Sequence, residues 1–348
     1  MKKSFYLPFL SVLLTVICML VGWSIWRRSP LVLAQMGSLV PLNHVKQVVA
    51  GGSHTCALTS TGGVKCWGWN YYGQLGDGTQ GDQNTPVAVN GLTNGVTSIS
   101  LGGSYYDGHT CALTITGGVK CWGRNAYGQL GDGTLIDKSA PVDVNGLTNG
   151  IIAISTGGDH TCALTITGGV KCWGRNAYGQ LGDGTLVDKS APVSVSGLDS
   201  GIAAIAAGRA HTCALTTTGG VKCWGRNAYG QLGNGVQSDR NTPSSVSGLS
   251  SDVTAITASG DHTCALTSAG GVKCWGYNDY GELGNGTWNA QNTPVNVISL
   301  NSGVTAIAAG GYHTCALTSA GAVKCWGWNA YGQLGDDSSG SKNIPVAV

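Results

Sequence analysis

An all-β fold of six four-stranded sheets, stacked like blades and preceded by one N-terminal hydrophobic helix, is what three features of this 348-residue chain predict. The tripeptide His-Thr-Cys recurs at His54, His109, His160, His211, His262 and His313, one step of 55 residues followed by four of 51. Each recurrence opens a cysteine pair ten residues apart that brackets a Thr/Ser-x-Gly-type turn. The intervening runs are short, rich in Val, Ile, Thr and Trp, and bounded by glycines (57 in all), with no apolar period of 3.6 residues.

Composition excludes several classes. A formal charge of +2 with 10% charged residues gives no electrostatic footprint for a nucleic-acid backbone. A chain that is 42% hydrophobic, with 11 Trp and 12 Tyr, is too apolar to be disordered.

The first element is the N-terminus. Met1–Lys3 carries two lysines, and from Ser4 to Trp26 no charge interrupts an apolar run that Arg27 and Arg28 close. That length spans a bilayer and exceeds a signal-peptide core, so an uncleaved signal-anchor is expected; Val32-Leu33-Ala34 leaves cleavage after Ala34 as the alternative. Both export the remainder. The boundary is placed between residues 1–36, the targeting segment and linker, and 37–348, the repeats.

Within a repeat, four strands are expected, as in Ile151–Thr156, His160–Thr165, Val170–Trp173 and Pro192–Val195. The turn at Thr61-Gly62-Gly63 sets the hairpin register. Cys56 then faces Cys66, Leu58 faces Val64 and His54 faces Gly68 on one side, with Thr55–Trp67 and Ala57–Lys65 on the other. Both sides carry apolar residues, which suits radial stacking better than a sandwich with solvated outer faces.

His-x-x-Ala-Leu followed by Trp-Gly-x-Asn-x-x-Gly-Gln-Leu-Gly resembles the regulator of chromosome condensation repeat, over about Val45 to Val348. The resemblance implies a β-propeller, usually of seven blades, where six are counted here. The last unit ends on a complete fourth strand, Pro345–Val348, so a six-bladed ring needs no missing sequence; an incomplete seven-fold ring is the alternative.

Opposed residues of an antiparallel hairpin lie within disulfide reach. Six disulfides are therefore expected: Cys56–Cys66, Cys111–Cys121, Cys162–Cys172, Cys213–Cys223, Cys264–Cys274 and Cys315–Cys325, with Cys18 left over. Metal binding by sets such as His54, Cys56 and Cys66, and plain buried thiols, are the competing readings. No metal and no cofactor is expected. The six histidines recur with identical neighbours, which points to structure, each ring packing over a bare glycine and bonding a loop. The tryptophans of Cys-Trp-Gly, such as Trp122, are assigned to the core between blades. Gly-Asp-Gly-Thr loops at Asp77, Asp132 and Asp183 combine carboxylate and glycine, but positions 234 and 285 carry Asn, which suits an Asx turn equally well as calcium.

Function is sought where the units differ. The first-to-second and third-to-fourth connections emerge on one face, and there the variable residue of Trp-Gly-x-Asn is Arg124, Arg175 and Arg226 in three successive units but Tyr277, Trp328 and Trp69 in the others. The insertion around Tyr105 and Tyr106 and the loop residue Trp288 join the same face. Tyr, Trp and Arg dominate binding hot spots, so this face is the candidate site for a protein or glycan partner, ordinary loop packing being the bland alternative.

The expectation is an exported, membrane-anchored, non-enzymatic binding scaffold with its propeller outside the cytoplasm. The alternatives are a nucleotide-exchange factor for a small GTPase, as the family resemblance implies, and a structural cell-surface protein.

Overall fold

The computed structural model describes residues 42–103 and 108–348. The expected N-terminal helix, its anchor at 4–26, Ala34, and the insertion residues Tyr105 and Tyr106 lie outside them. Among the described residues no helix is long and apolar enough to cross a membrane.

Six antiparallel meanders of four strands make six blades. In blade one the strands are Val45–Ala50, His54–Thr59, Val64–Gly68 and Gln83–Ala88; the others occupy 96–143, 151–194, 202–245, 253–296 and 304–347. The central hairpin holds the register that its turn dictates: His54 opposite Gly68, Thr55 opposite Trp67, Cys56 opposite Cys66, Ala57 opposite Lys65 and Leu58 opposite Val64. All six cysteine pairs are disulfides, with Cα atoms 4.1 Å apart. The fourth strand begins earlier than its Pro-Val core suggests, at Lys189 rather than Pro192 in blade three. Proline is tolerated there because this outermost strand has a free edge.

Both faces of blades two to five are buried, each against a different neighbour. Cys111, Leu113, Val119 and Leu130 of blade two pack on Ala163 and Trp173 of blade three, and the arrangement repeats at five junctions. The tryptophans at 122, 173, 224, 275 and 326 have no exposed area.

A polar clamp accompanies each apolar junction. The Gln74 carbonyl of blade one accepts from Thr110 Oγ1 and from Trp122 Nε1 of blade two, both at 2.9 Å. The same hydroxyl oxygen lies 2.8 Å from His54 Nε2. A threonine has one hydroxyl proton, already given to the carbonyl, so His54 Nε2 must donate and the ring is the neutral Nε2–H tautomer. The clamp recurs as His109–Thr161, His160–Thr212, His211–Thr263 and His262–Thr314, at 2.8–2.9 Å. The histidines therefore bond the next blade rather than a loop of their own. Five of the six rings lie over a glycine of the preceding turn, as where a Cβ at Gly157 would stand 2.3 Å from His160 Cε1; in blade five that position is Ser259. The partner threonine is more than fifty residues away and comes within reach only when blades stack.

The sixth junction, from blade six to blade one, is not built among the described residues. Leu317 and Val323 are 40% and 41% exposed, where their five counterparts are at most 6% exposed. Trp67, unlike the other five, is only half-buried.

Candidate functional site

The long third-to-fourth loop of each blade is riveted by one buried asparagine. In blade two Asn125 Oδ1 accepts from Leu130 N at 2.9 Å, while its Nδ2 donates to Asp132 Oδ1 and to the Thr134 and Ile136 carbonyls. Asp132 also accepts from Thr134 N and Oγ1, the Asx turn, and pairs with Lys138 at 3.5 Å. Burial acts to raise the Asp132 carboxyl, yet the bonds from Thr134 and Asn125 and the Lys138 charge outweigh it and hold its pKa below the usual value. The carboxylate of Gly-Asp-Gly-Thr is thus occupied as a loop brace, and among the described residues no cluster of His, Cys, Asp or Glu is arranged to hold a metal ion.

The residue before each asparagine is the variable one, and its backbone N–H bonds the residue before the repeat histidine. Arg175 N donates to the Asp159 carbonyl at 2.9 Å, Tyr277 N to Asp261 and Trp328 N to Tyr312. This bond ties the first-to-second loop to the third-to-fourth loop in every blade, so the two connections share one face as the meander requires.

On that face the variable residues meet tyrosines that stand three positions further on. The Arg124 guanidinium lies 5.6 Å from the Tyr72 ring and 5.5 Å from Tyr127; Arg175 lies 4.8 Å from Tyr127; Arg226 lies 5.6 Å from Tyr178 and 5.3 Å from Tyr229. The belt continues through rings alone, Tyr229 to Tyr277, Tyr277 to Tyr280 and Tyr312, then Trp328 and Tyr331. Trp69, Tyr71 and Tyr72 carry it across blade one. Trp288 is 46% exposed and has no ring contact with the belt among the described residues.

The basic half is not a field of free cations. Asp159 takes Arg124 on one carboxylate oxygen at 3.0 Å and Arg175 on the other at 3.2 Å. Asp261 takes Arg226 at 3.3 Å and Arg209 at 3.9 Å, and also accepts from Gln231 Nε2. Arg124, Arg175, Arg209 and Arg226 line one cleft of about 320 Å³ with Tyr127, Tyr178 and Asp159. Among the described residues Asp159 and Asp261 hold the four guanidiniums in place, so the cleft presents preorganised, planar donors.

Residue-by-residue reading of the sequence passed over Tyr127, Tyr178, Tyr229 and Tyr280 because they recur in every unit and look like scaffold. Asp159 and Asp261 carried a usable signal, being carboxylates at a position where other units have Ser, Gly, Ala or Tyr.

A second irregularity is Glu282, which replaces the glutamine of Gly-Gln-Leu-Gly. Its side chain is fully buried; Oε2 accepts from Tyr280 N at 3.0 Å and Oε1 has no partner among the described residues. Burial, helped by the nearby Asp279 charge and opposed by backbone N–H bonds, pushes its pKa up to about 7. The folded state therefore keeps a proton that the unfolded chain releases near pH 4.5, and stability falls as pH rises from 4.5 to 7. Glu282→Gln is expected to stabilise the protein by about 2–3 kcal/mol at pH 8 and hardly at all at pH 4.5. Melting curves at the two pH values check this, and an equal shift at both would dismiss it.

Known proteins resemble the chain over most of its length. The ultraviolet-B receptor UVR8 of Arabidopsis thaliana is 35% identical over 314 residues, 88% of this chain and 70% of the receptor. The human E3 ubiquitin-protein ligase HERC2 is 34% identical over 276 residues, which are 77% of this chain but 6% of the ligase. The crystal structure of yeast RCC1 (Prp20), solved with Kap60 bound, superposes with a TM-score of 0.75 at 24% identity, covering 87% of this chain and 74% of that one. The RCC1-like domain model matches residues 27–348, and it is to the family of RCC1-like domains that this chain belongs.

Proposed function

We propose that the chain is an exported, non-enzymatic scaffold that binds a protein partner through its loop face. The observation that carries this reading is the continuous belt of rings and guanidiniums across six rigid blades, ending in a cleft with four arginines. Such a surface suits a partner that offers a carboxylate-bearing segment to the cleft and apolar or aromatic side chains to the Tyr277–Trp328 half. Rigid loops keep the entropic cost of binding low. Five of the six repeat histidines are fully buried in clamps, closed to any substrate, which supports binding over catalysis. Six disulfides support an oxidising compartment for the propeller, with residues 4–26 as the exporting segment, retained as an anchor or removed after Ala34. That location disfavours a cytoplasmic GTPase as the partner.

A photo-crosslinking residue at Tyr331, 85% exposed in the belt, and one at Ile166, 72% exposed on the opposite face, test the reading in the protein's own cells. A discrete adduct is expected from position 331 only, and it should fall at least tenfold when Arg175→Glu and Trp328→Ala are combined. Adducts from position 166 alone, or an adduct indifferent to both substitutions, would refute the loop face as the binding site.

A further inference from the structure

We infer that Tyr277, Tyr280, Tyr312 and Trp328 form a site for an alkylated ammonium group, the positively charged head of a small quaternary amine or of a methylated lysine. The assignment rests on the loop face being the binding face and names the chemistry of its aromatic half. Unit five departs from its neighbours at three positions at once. Where the three units before it carry Arg, Ala and Gln, as in Arg226, Ala228 and Gln231, it carries Tyr277, Asp279 and Glu282. Unit six adds Tyr312 just before its histidine, where the other units have Ser53, Gly108, Asp159, Ala210 and Asp261. A cation is thereby exchanged for rings, and two neutral groups for carboxylates. Between Lys273 and Lys324 the sequence holds no lysine or arginine, and its only acids are Asp279 and Glu282.

Three of the rings form a corner. Tyr277 stands 6.2 Å from both Tyr280 and Tyr312, and those two stand 5.6 Å apart, with planes inclined at 61°, 63° and 78°. Trp328 closes the side, 6.0 Å from Tyr280 and 5.9 Å from Tyr312. A group seated in front of three faces so spaced and so inclined lies about 4 Å from each centroid, well inside the cation–π range of about 6 Å. Tyr312 and Trp328 also line a cavity of about 450 Å³ between the first-to-second loops, and Tyr280 is 38% exposed, so a ligand reaches the rings both from the cavity and from solvent.

The charge beside these rings is negative. In blade four Gln231 accepts from Tyr229 N on Oε1 and donates from Nε2 to Asp261. Glu282 keeps the first bond, from Tyr280 N to Oε2, and its buried Oε1 stands in the place of that Nε2 with no partner among the described residues. By the repeat, this oxygen is on the side of Tyr312. Burial pushes the Tyr277 hydroxyl pKa up, and the Asp279 charge and hydrogen bond and the Glu282 charge push it further, as two carboxylates beside the rings must. Arg226 and Arg209, at the border with the basic half, are held on Asp261 at 3.3 and 3.9 Å. A bare ammonium is strongly hydrated and needs hydrogen-bond acceptors that ring faces do not supply. Methyl groups spread the same charge over apolar surface that the rings cover, so the corner suits an alkylated head better than a plain lysine.

Titration calorimetry on the full, disulfide-bonded chain at pH 8 tests this, with tetramethylammonium as the free probe and a peptide carrying trimethyl-lysine as the tethered one. Tetramethylammonium should bind at least tenfold more tightly than neopentyl alcohol, which has nearly its shape and no charge. Tyr280→Leu, which keeps apolar area and removes a ring face, should weaken the cation at least tenfold. Tyr277→Arg restores the residue type of blades two to four and should abolish binding in a chain that still melts cooperatively, whereas Ile166→Ala on the opposite face should change nothing. The two probes separate the sources: a peptide that binds more tightly than the free cation identifies a partner's side chain, and a free cation that binds as tightly identifies a small molecule. Equal affinity for cation and alcohol, no binding of either probe, or binding that survives Tyr277→Arg would overturn the inference, the last two meaning that the rings fill the corner with their own edges. These titrations contain no partner, so a missing cation site is told apart from a missing crosslink at position 331.

Discussion

Acidification is expected to unfold the propeller near pH 5, through its buried histidines. Burial holds His54 and His160 down at about 4 and His109, His211 and His262 down at about 3, against an ordinary imidazole value of 6.5. The geometry gives the reason. Each Nε2–H is spent on a threonine, and each Nδ1 is buried without a partner among the described residues, so a second proton would create a buried, unpaired cation. The unfolded chain takes up those protons below pH 6.5 and the folded chain refuses them until its lowered pKa is reached. Stability is therefore intact above 6.5 and is lost as pH falls, by about 1.4 kcal/mol per pH unit for each histidine. Five act together, so descent from 6.5 to 5 removes about 10 kcal/mol, comparable with the whole stability of an ordinary domain. Glu282 runs the other way, but it is one group against five. Tryptophan fluorescence and far-ultraviolet circular dichroism against pH should show a steep transition between about 4.5 and 5.5, moved to lower pH by His160→Asn. A midpoint below pH 4, or one indifferent to that substitution, would contradict the neutral-clamp account.

The same clamp shows where reading the sequence stops. Cys56 opposite Cys66 is legible because a short turn fixes a hairpin register locally. His54 with Thr110 is not, since the partners are 56 positions apart and meet only through blade stacking. The arginine and aromatic halves of the loop face were visible because they break the repeat. Tyr127 was hidden because it keeps the repeat, although it holds two of the three arginines. The junction from blade six to blade one escapes the sequence for a different reason. Blade count is written in the repeats, whereas the turn from one blade to the next is set by how Leu, Trp and Gly pack across each interface, and small differences there accumulate around a ring.

Reduction of the six disulfides is the second large effect expected, and its order follows from the open junction. Each bond closes a loop of ten residues, worth about 2–3 kcal/mol through the unfolded chain. Together they exceed ordinary domain stability, so full reduction should abolish cooperative melting. Reach to the sulfurs is unequal. The cysteines of blades one to five have no exposed area, covered on the disulfide side by the next blade's Ala and Trp. Cys315 is half-buried because no blade follows it among the described residues, and its neighbours Leu317 and Val323 stand open. A thiolate reaches a disulfide only along an accessible line of attack. Under native conditions with dilute reductant, alkylation followed by peptide mapping should therefore label Cys315 and Cys325 at least tenfold faster than the other ten, which open only when the blades part. Labelling of all twelve at one rate would mean that Cys315–Cys325 is as well covered as the rest.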